Sequence, residues 1–286
     1  MEIKSWFDKD TCTLTYCVFD PSTKDAVVID PVWNFDPASG VLSTHSVHEV
    51  INFVKEAGLK LHFILETHAH ADHLSGAMPL HRAFPEARVA IGRHITKVQE
   101  TFQKIFNLGD DFATDGRQFD LLLEDGGVIV AGSLAVKSLF TPGHTPACSS
   151  LMIGDALFVG DALFMPDYGT GRCDFPQGNA EDLYDSIQKL YALPDATRVF
   201  TGHDYQPGGR PLRWQSTIAE EKTQNIQIKA TTTRAAYTAM RRERDLTLSA
   251  PRLLLPSIQV NISGGQLPRP ESNGVSYLKL PLSLKS

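Results

Sequence analysis

Short runs of apolar and β-branched residues, bounded by turn residues, recur through the chain and predict strands. The first two, 13–20 and 25–30, flank the turn cluster Pro21-Ser22-Thr23-Lys24 and predict an antiparallel hairpin. A second hairpin is predicted around Gly154-Asp155. The remaining runs predict strands at 61–65, 89–91, 119–123, 128–130, 134–139, 148–153, 157–160 and 198–201.

Helical spacing of apolar residues separates many of these strands. Residues 46–57 follow the pattern V-x-x-V-I-x-F-V, and 181–190 places Leu183, Ile187 and Leu190 on one face. Further helices are predicted at 77–83, 94–106, 217–229 and 231–244. Segments rich in polar or turn residues predict loops at 31–44 and 107–118 and a surface tail at 264–286.

The order of these elements indicates an α/β fold. Strands come first as a hairpin, then alternate with helices, and the order roughly repeats. Two mixed sheets covered by helices satisfy such an order. No linker interrupts the pattern, so we expect one domain over 1–286, with the helices and tail of 214–286 packed on it.

Composition narrows the class of protein. Of 286 residues, 42% are hydrophobic and 21% are charged, and the formal net charge is −6 without a basic stretch, which argues against a nucleic-acid partner. No window of 18 apolar residues predicts a membrane span. The four cysteines form no CxxC pair and the N-terminal residues do not resemble a signal or transit peptide, so we expect reduced thiols in the cytoplasm.

The run His68-Ala69-His70-Ala71-Asp72-His73 carries the strongest chemical signal. Neutral imidazole is the commonest metal ligand in proteins, and three imidazoles and a carboxylate lie here within six residues. The run follows the predicted strand 61–65, at the end where α/β sheets place their sites. We interpret it as part of a metal site.

Three single residues have similar settings. His144 lies in Thr141-Pro142-Gly143-His144-Thr145, Asp161 in Gly160-Asp161-Ala162 and His203 in Gly202-His203-Asp204-Tyr205. Each follows a predicted strand and has a glycine within two residues. Alone, each is more often an ordinary turn residue, but together they indicate further ligands.

These motifs resemble, in order, the ligand series of the metallo-β-lactamase superfamily. The resemblance runs from about residue 12 to residue 262. It implies an α/β fold of the αββα four-layer sandwich type, with metal at the edge between the two sheets. Fold alone does not decide function in so varied a superfamily.

Local sequence is similar to the persulfide dioxygenase family. Gly171-Arg172-Cys173-Asp174-Phe175 resembles that family's GRxDF element, and His203-Asp204-Tyr205, 246–249, Asn261 and Leu267-Pro268 also match it. The resemblance implies one Fe(II) per chain, with His68, His144 and Asp161 as ligands. The implied reaction oxidises glutathione persulfide with O2 to sulfite and glutathione.

On this interpretation, the other motif residues surround the iron. His70, Asp72, His73 and His203 would orient the ligands, and Asp72, His73 and Tyr205 are the catalytic candidates. Arg172 and Tyr205 are the candidates for substrate contact. For Arg172, an ion pair with Asp174 is an equal alternative to substrate contact. For Tyr205, the equal alternative is a partly buried aromatic side chain.

A second function is compatible with the same residues. Glyoxalase II enzymes also resemble this chain, and in a dinuclear zinc thioester hydrolase His70, Asp72, His73 and His203 would complete a second metal site. A non-catalytic metal-binding protein is a weaker third hypothesis.

From related enzymes we expect a homodimer or higher homo-oligomer. The segments 94–122 and 163–170 are longer than expected, which predicts a lid or an oligomer contact.

Overall fold

The computed structural model describes residues 1–282, which form fifteen strands and seven α-helices. The strands, in chain order, are β1 (Glu2–Asp8), β2 (Thr13–Phe19), β3 (Asp25–Ile29), β4 (Val32–Asp36), β5 (Val41–Ser43), β6 (Lys60–Glu66), β7 (Leu74–Ser75), β8 (Arg88–Gly92), β9 (Leu121–Leu123), β10 (Val128–Ala131), β11 (Leu134–Phe140), β12 (Ser149–Ile153), β13 (Ala156–Phe158), β14 (Arg198–Phe200) and β15 (Gln215–Thr217). The helices are α1 (His45–Glu56), α2 (Ala77–Ala83), α3 (Ile95–Ile105), α4 (Ala180–Tyr191), α5 (Ile218–Gln224), α6 (Arg234–Asp245) and α7 (Leu254–Asn261).

Two six-stranded mixed sheets form the centre of the fold. The first has the order β1-β2-β3-β6-β8-β9 and the second β10-β11-β12-β13-β14-β15. Strands joined by tight turns pair antiparallel, whereas β3, β6, β8 and β9 pair in parallel, as connections through helices require. A small sheet, β5-β4-β7, lies beside them.

The buried residues show that the two sheets face each other between outer layers of helices. One cluster between the sheets consists of strand residues from both, such as Tyr16 of β2 and Phe158 of β13. A second cluster joins the outer face of the first sheet to α1, α2, α3 and α7. A third joins the outer face of the second sheet to α4, α5 and α6. The alternation of side chains along each strand makes this four-layer arrangement possible.

Both predicted hairpins are confirmed, since β2 pairs antiparallel with β3 and β12 with β13. The prediction of a loop over 31–44 is wrong, because two short strands there form a hairpin around 37–40. Trp33 of this hairpin packs against Leu74 and Val260, which stabilises strands too short to recognise from their pattern.

The helix predicted over 217–229 is also wrong in extent. It ends at Gln224, because the Asn225 side chain accepts hydrogen bonds from the backbone N–H groups of Gln227 and Ile228 and turns the chain. The strands β1 and β15 and the helix α7 were not predicted. Within residues 1–282, no helix is long and apolar enough to cross a membrane.

The C-terminal elements share the clusters of the sandwich. Ile218 and Tyr237 belong to the cluster beneath the second sheet, and Ile258 and Ile262 belong to that of the first. That 1–286 is a single domain stays a prediction, and its last residues, 283–286, lie outside the described part of the chain.

Glu221 of α5 is a fully buried carboxyl that accepts hydrogen bonds from Ser216 and Asn225. Burial raises its pKa from 4.5 to about 7, against the effect of those hydrogen bonds. Between these values the folded protein keeps a proton that the unfolded chain releases. The free energy of unfolding therefore falls as pH rises through this window and is constant above it, as far as Glu221 is concerned.

We predict that Glu221→Gln removes this pH dependence, because an amide does not titrate. Its oxygen can still accept from Asn225 Nδ2–H, and its nitrogen can donate to the Ser216 hydroxyl. The unfolding free energy of the variant relative to wild type should rise by about 3 kcal/mol between about pH 4 and about pH 8. Urea denaturation of the metal-free proteins measures it, with the exposed Glu243→Gln as control. A difference that does not change with pH would contradict the prediction.

Candidate metal centre

All the predicted ligand motifs meet at one edge of the sandwich. The run 68–73 follows β6, His144 follows β11, Asp161 follows β13 and His203 follows β14. Hydrogen bonds join the two sheets here, from Ser149 N–H to the Thr67 carbonyl (2.9 Å) and from Leu14 N–H to the Gly202 carbonyl (2.8 Å). The fold thus brings segments that are distant in sequence to one place.

His68, His144 and Asp161 form the first cluster. Each offers one ligand atom, and the three atoms lie within 4.8 Å of one another. His144 Nε2 is 3.5 Å from Asp161 Oδ2, and the rings of His68 and His144 meet edge to face with centroids 5.0 Å apart. All three side chains are buried. The arrangement is that of two imidazoles and one carboxylate facing a common point.

These residues fit a metal ion, because hydrogen bonds hold the far side of each imidazole. His144 Nδ1–H donates to the Arg172 carbonyl at 2.7 Å, and His68 Nδ1 lies 3.0 Å from the Thr67 hydroxyl. His68 Nε2 and Asp161 Oδ1 are buried without any hydrogen-bond partner. Buried polar atoms are rarely left unpaired, and ligand histidines are commonly held through the other nitrogen.

Electrostatics also suit His68 to metal binding. Burial lowers its pKa well below the usual range, and the neighbouring imidazoles His70 and His144 lower it further. The ring is therefore neutral at physiological pH, which is the form that binds metals.

His70, Asp72 and His73 form a second cluster, whose ligand atoms also lie within 4.8 Å of one another. Asp72 Oδ2 accepts from the Thr13 hydroxyl (3.1 Å) and lies 3.0 Å from His73 Nδ1. His203 Nε2 lies between the clusters, 3.6 Å from Asp72 Oδ2 and 3.4 Å from Asp161 Oδ1. Although burial opposes ionisation, His203 and His73 hold the pKa of Asp72 well below its usual range.

Two buried acids beneath His70 were missed by sequence reasoning. Its Nε2 lies 3.0 Å from Asp30 Oδ1 and 3.3 Å from Glu66 Oε2. Burial opposes protonation of His70, but Asp30 and Glu66 hold its pKa well above the usual range. Each acid ends an apolar strand, DAVVID or LHFILE, and a carboxyl that directly follows a buried run was the available signal.

A cavity of about 340 Å³ opens onto the first cluster. Arg172 lines it, but its guanidinium is also paired with both oxygens of Asp174 (2.5 Å each) and donates to the Ser249 carbonyl. Tyr205 lines it with a side chain that is 39% exposed, stacked on Tyr168 and on His203. Arg172 thus forms the ion pair that was its alternative role and also lies on the cavity wall.

The long segments 94–122 and 163–170 occupy different places. The first supplies α3 and β9, whereas Phe164, Tyr168 and Thr170 of the second line the cavity. The second segment therefore shapes the site directly.

A family model described as the metallo-beta-lactamase superfamily matches residues 12–203. The chain belongs to this superfamily. Its predicted fold, the α/β sandwich of the metallo-β-lactamase type, is confirmed. A solved metallo-beta-lactamase from Staphylococcus aureus has the same fold, with a TM-score of 0.72, 22% identity, and coverage of 95% of this chain and 74% of that one.

Proteins with two kinds of name are similar to this chain, namely hydrolase-type names and a dioxygenase. A probable metallo-hydrolase of Burkholderia pseudomallei is 48% identical over 99% of both chains, and glyoxylase B2 of Dictyostelium discoideum is 47% identical over 99% of this chain and 97% of its own. Human mitochondrial persulfide dioxygenase ETHE1 is 34% identical over 79% of this chain and 75% of its own.

The structure of ETHE1 from Myxococcus xanthus matches 93% of this chain and all of its own, with 31% identity and a TM-score of 0.74. The resemblance to persulfide dioxygenases is therefore confirmed.

Asn261 of α7 holds the histidine run. Its amide donates to the carbonyls of His70 and His73 (2.8 Å each) and accepts from Ser75 N–H (2.8 Å). Sequence reasoning noted Asn261 as a family match but gave it no role. One side chain thus fixes the backbone on both sides of Asp72.

We predict that Asn261→Ala lowers the free energy of unfolding by about 2–4 kcal/mol, because three buried backbone groups lose their partner. Urea denaturation of metal-free protein measures this. The control is Asn273→Ala, which removes an exposed amide that donates to the Tyr277 hydroxyl and accepts from Val275 N–H. A loss below about 1 kcal/mol would show that Asn261 does not hold the run.

Proposed function

We propose that the protein is an iron-dependent persulfide dioxygenase that oxidises glutathione persulfide with O2 and water to sulfite and glutathione. The observation that carries the proposal is the cluster of His68, His144 and Asp161, two imidazoles and a carboxylate around one point. This is the ligand set of non-haem Fe(II) oxygenases. Asp72, by contrast, is engaged by hydrogen bonds from the protein.

The relatives support this proposal in part. The chain is similar to two proteins named ETHE1, one of them a persulfide dioxygenase. It also carries the GRCDF element, in which the Arg172 carbonyl contacts the proposed ligand His144. The element that distinguished the family in the sequence is therefore part of the metal centre.

The residues of the chain would divide the work as follows. Bound Fe(II) would supply the redox chemistry between dioxygen and an anionic sulfur, with coordination positions left by its three ligands. The Thr67 hydroxyl and the Arg172 carbonyl orient the two imidazoles. Asp72, held by His73, keeps a negative charge beside the cavity. Phe164, Tyr168 and Tyr205 form an aromatic part of its wall.

Charge on the cavity wall fits an anionic substrate. The cavity is lined by four arginines, with Arg244 and Arg252 exposed, and by three acids, of which Asp161 is a proposed metal ligand. The arginines are Arg172, Arg241, Arg244 and Arg252, and the acids are Asp10, Asp72 and Asp161. Glutathione persulfide carries two carboxylates and an acidic persulfide, and guanidinium groups bind carboxylates by paired hydrogen bonds. The substrate class is thus consistent with the entrance to the site.

A dinuclear zinc thioester hydrolase is the second candidate. His70 Nδ1 and His73 Nε2 are also buried without partners, so the second cluster could hold a second ion. The similarity to a protein named glyoxylase B2 and to a probable metallo-hydrolase favours the same candidate. In that case a metal-activated water would attack an acyl carbon.

Two further expectations concern oligomeric state, from related enzymes, and location, from the cysteines and the N-terminal residues. We propose a homodimer or a higher homo-oligomer that acts in the cytoplasm.

We predict about one Fe and little Zn per chain after anaerobic purification. An oxygen electrode should show uptake that depends on glutathione persulfide, with sulfite as product. Two zinc ions per chain, no uptake, and rapid hydrolysis of S-lactoylglutathione would instead support the hydrolase.

His144→Ala should abolish iron retention, whereas His70→Ala should keep most of the iron and lose activity. The exposed His48→Ala serves as control, and loss of all iron from the His70 variant would contradict the assignment of ligands.

We predict that Arg244→Ala raises KM for glutathione persulfide by about three- to tenfold with little change in kcat, because it removes a charge at the cavity entrance and leaves the metal ligands in place. Steady-state oxygen uptake at two salt concentrations measures this, and the effect should shrink at high salt. Arg234→Ala, on the far end of the same helix, is the control. An unchanged KM would exclude Arg244 from substrate binding.

A further inference from the structure

We propose that Arg241 and Asp245, a buried ion pair on α6, position the ligand His144 through the backbone of residues 170–173 and thereby set the affinity of the centre for its metal. We call residues 170–173 the ligand-facing loop. The inference rests on the proposed metal site, but it does not depend on iron or on oxygen chemistry.

The ligand-facing loop contacts two of the three proposed ligands. The carbonyl of Arg172 accepts the hydrogen bond from His144 Nδ1 at 2.7 Å. One residue earlier, the loop lies so close to Asp161 that a Cβ atom on Gly171 would be 2.1 Å from the Asp161 carbonyl oxygen. The position of this loop therefore decides where the His144 ring points and how closely Asp161 approaches it.

Helix α6 holds the same loop from its other side. Asp245 Oδ2 accepts from Cys173 N–H at 2.9 Å, and Arg241 Nη1 donates to the Thr170 carbonyl at 3.3 Å. The Tyr237 hydroxyl lies 2.8 Å from the Thr170 hydroxyl. These contacts lie on both sides of Gly171 and Arg172, so the segment between them cannot shift without breaking one of them.

The two charged side chains are fixed by each other. Arg241 is 1% exposed, and its Nε and Nη2 both donate to Asp245 Oδ1, at 3.0 and 2.6 Å. Because Asp245 Oδ1 binds Arg241, Oδ2 is aimed at Cys173 N–H. A buried ion pair often adds little stability compared with apolar residues of similar size. Its contribution here is instead the direction of two hydrogen bonds to the loop.

The chain of contacts thus runs from α6 through the loop to the imidazole. Carbonyl partners of ligand histidines fix the ring and its tautomer, and their loss typically weakens metal binding about 10- to 100-fold. Arg241 and Asp245 are one step further away, but they hold the backbone that supplies the carbonyl.

The test compares Co(II) binding by the full-length metal-free proteins, measured by competition with a chromophoric chelator and by the visible spectrum of bound Co(II). We expect Asp245→Ala to weaken binding by about tenfold or more and to change the spectrum. Asp245→Asn should lose less, since its amide oxygen can still accept from Cys173 N–H. Arg234→Ala is the matched control. Arg234 also lies on α6 but forms an exposed ion pair with Asp185 of α4, so this variant should bind Co(II) like wild type.

Urea denaturation identifies which variants are folded. A folded Asp245→Ala with wild-type affinity and spectrum would overturn the proposal. Should that variant not fold, Asp245→Asn and Tyr237→Phe decide, and wild-type Co(II) binding in both would overturn it. If the wild-type protein binds no Co(II), the metal site itself is refuted. If the variants bind Co(II) more weakly but the wild-type protein has no oxygenase activity, only the proposed function is refuted.

Discussion

The centre depends on imidazoles that are buried, neutral and held in one orientation. A buried ring without partners would be costly, and a charged ring could not bind a metal. Here burial and neighbouring rings keep His68 neutral, and the Arg172 carbonyl accepts the hydrogen bond from His144 Nδ1–H. The surrounding structure is built to hold these acceptors. This centre is surrounded by residues from the strand ends of both sheets, from the GRCDF segment and from α7.

The sequence was most informative where chemistry and strand ends coincide. The run that begins at His68, and His144, Asp161 and His203, each follow an apolar strand, which indicated a shared site, whereas the family resemblance singled out His68, His144 and Asp161 as ligands. The structure brings the ligand atoms of these three within 4.8 Å of one another. The hairpin 13–30 was equally clear, since a turn cluster separates two apolar runs. Both signals lie within short stretches of the sequence, and the superfamily's fold brings those stretches together.

Other features could not be read from local pattern. The strands β4 and β5 are short, and packing of Trp33 stabilises them rather than their own propensity. Helix α5 ends early because the side chain of Asn225 competes for backbone N–H groups. Asp30, Glu66 and Asn261 act through residues far away in the sequence, so their roles appear only when the contacts are known.

The clamp that Asn261 places on the histidine run has a consequence for biosynthesis. All three proposed ligands emerge from the ribosome before α7, yet the backbone that carries the first of them is secured by a side chain translated about 190 residues later. An ion captured by the nascent chain would meet a loosely held run. Tight binding at the run therefore requires that α7 has already been made and has docked against it.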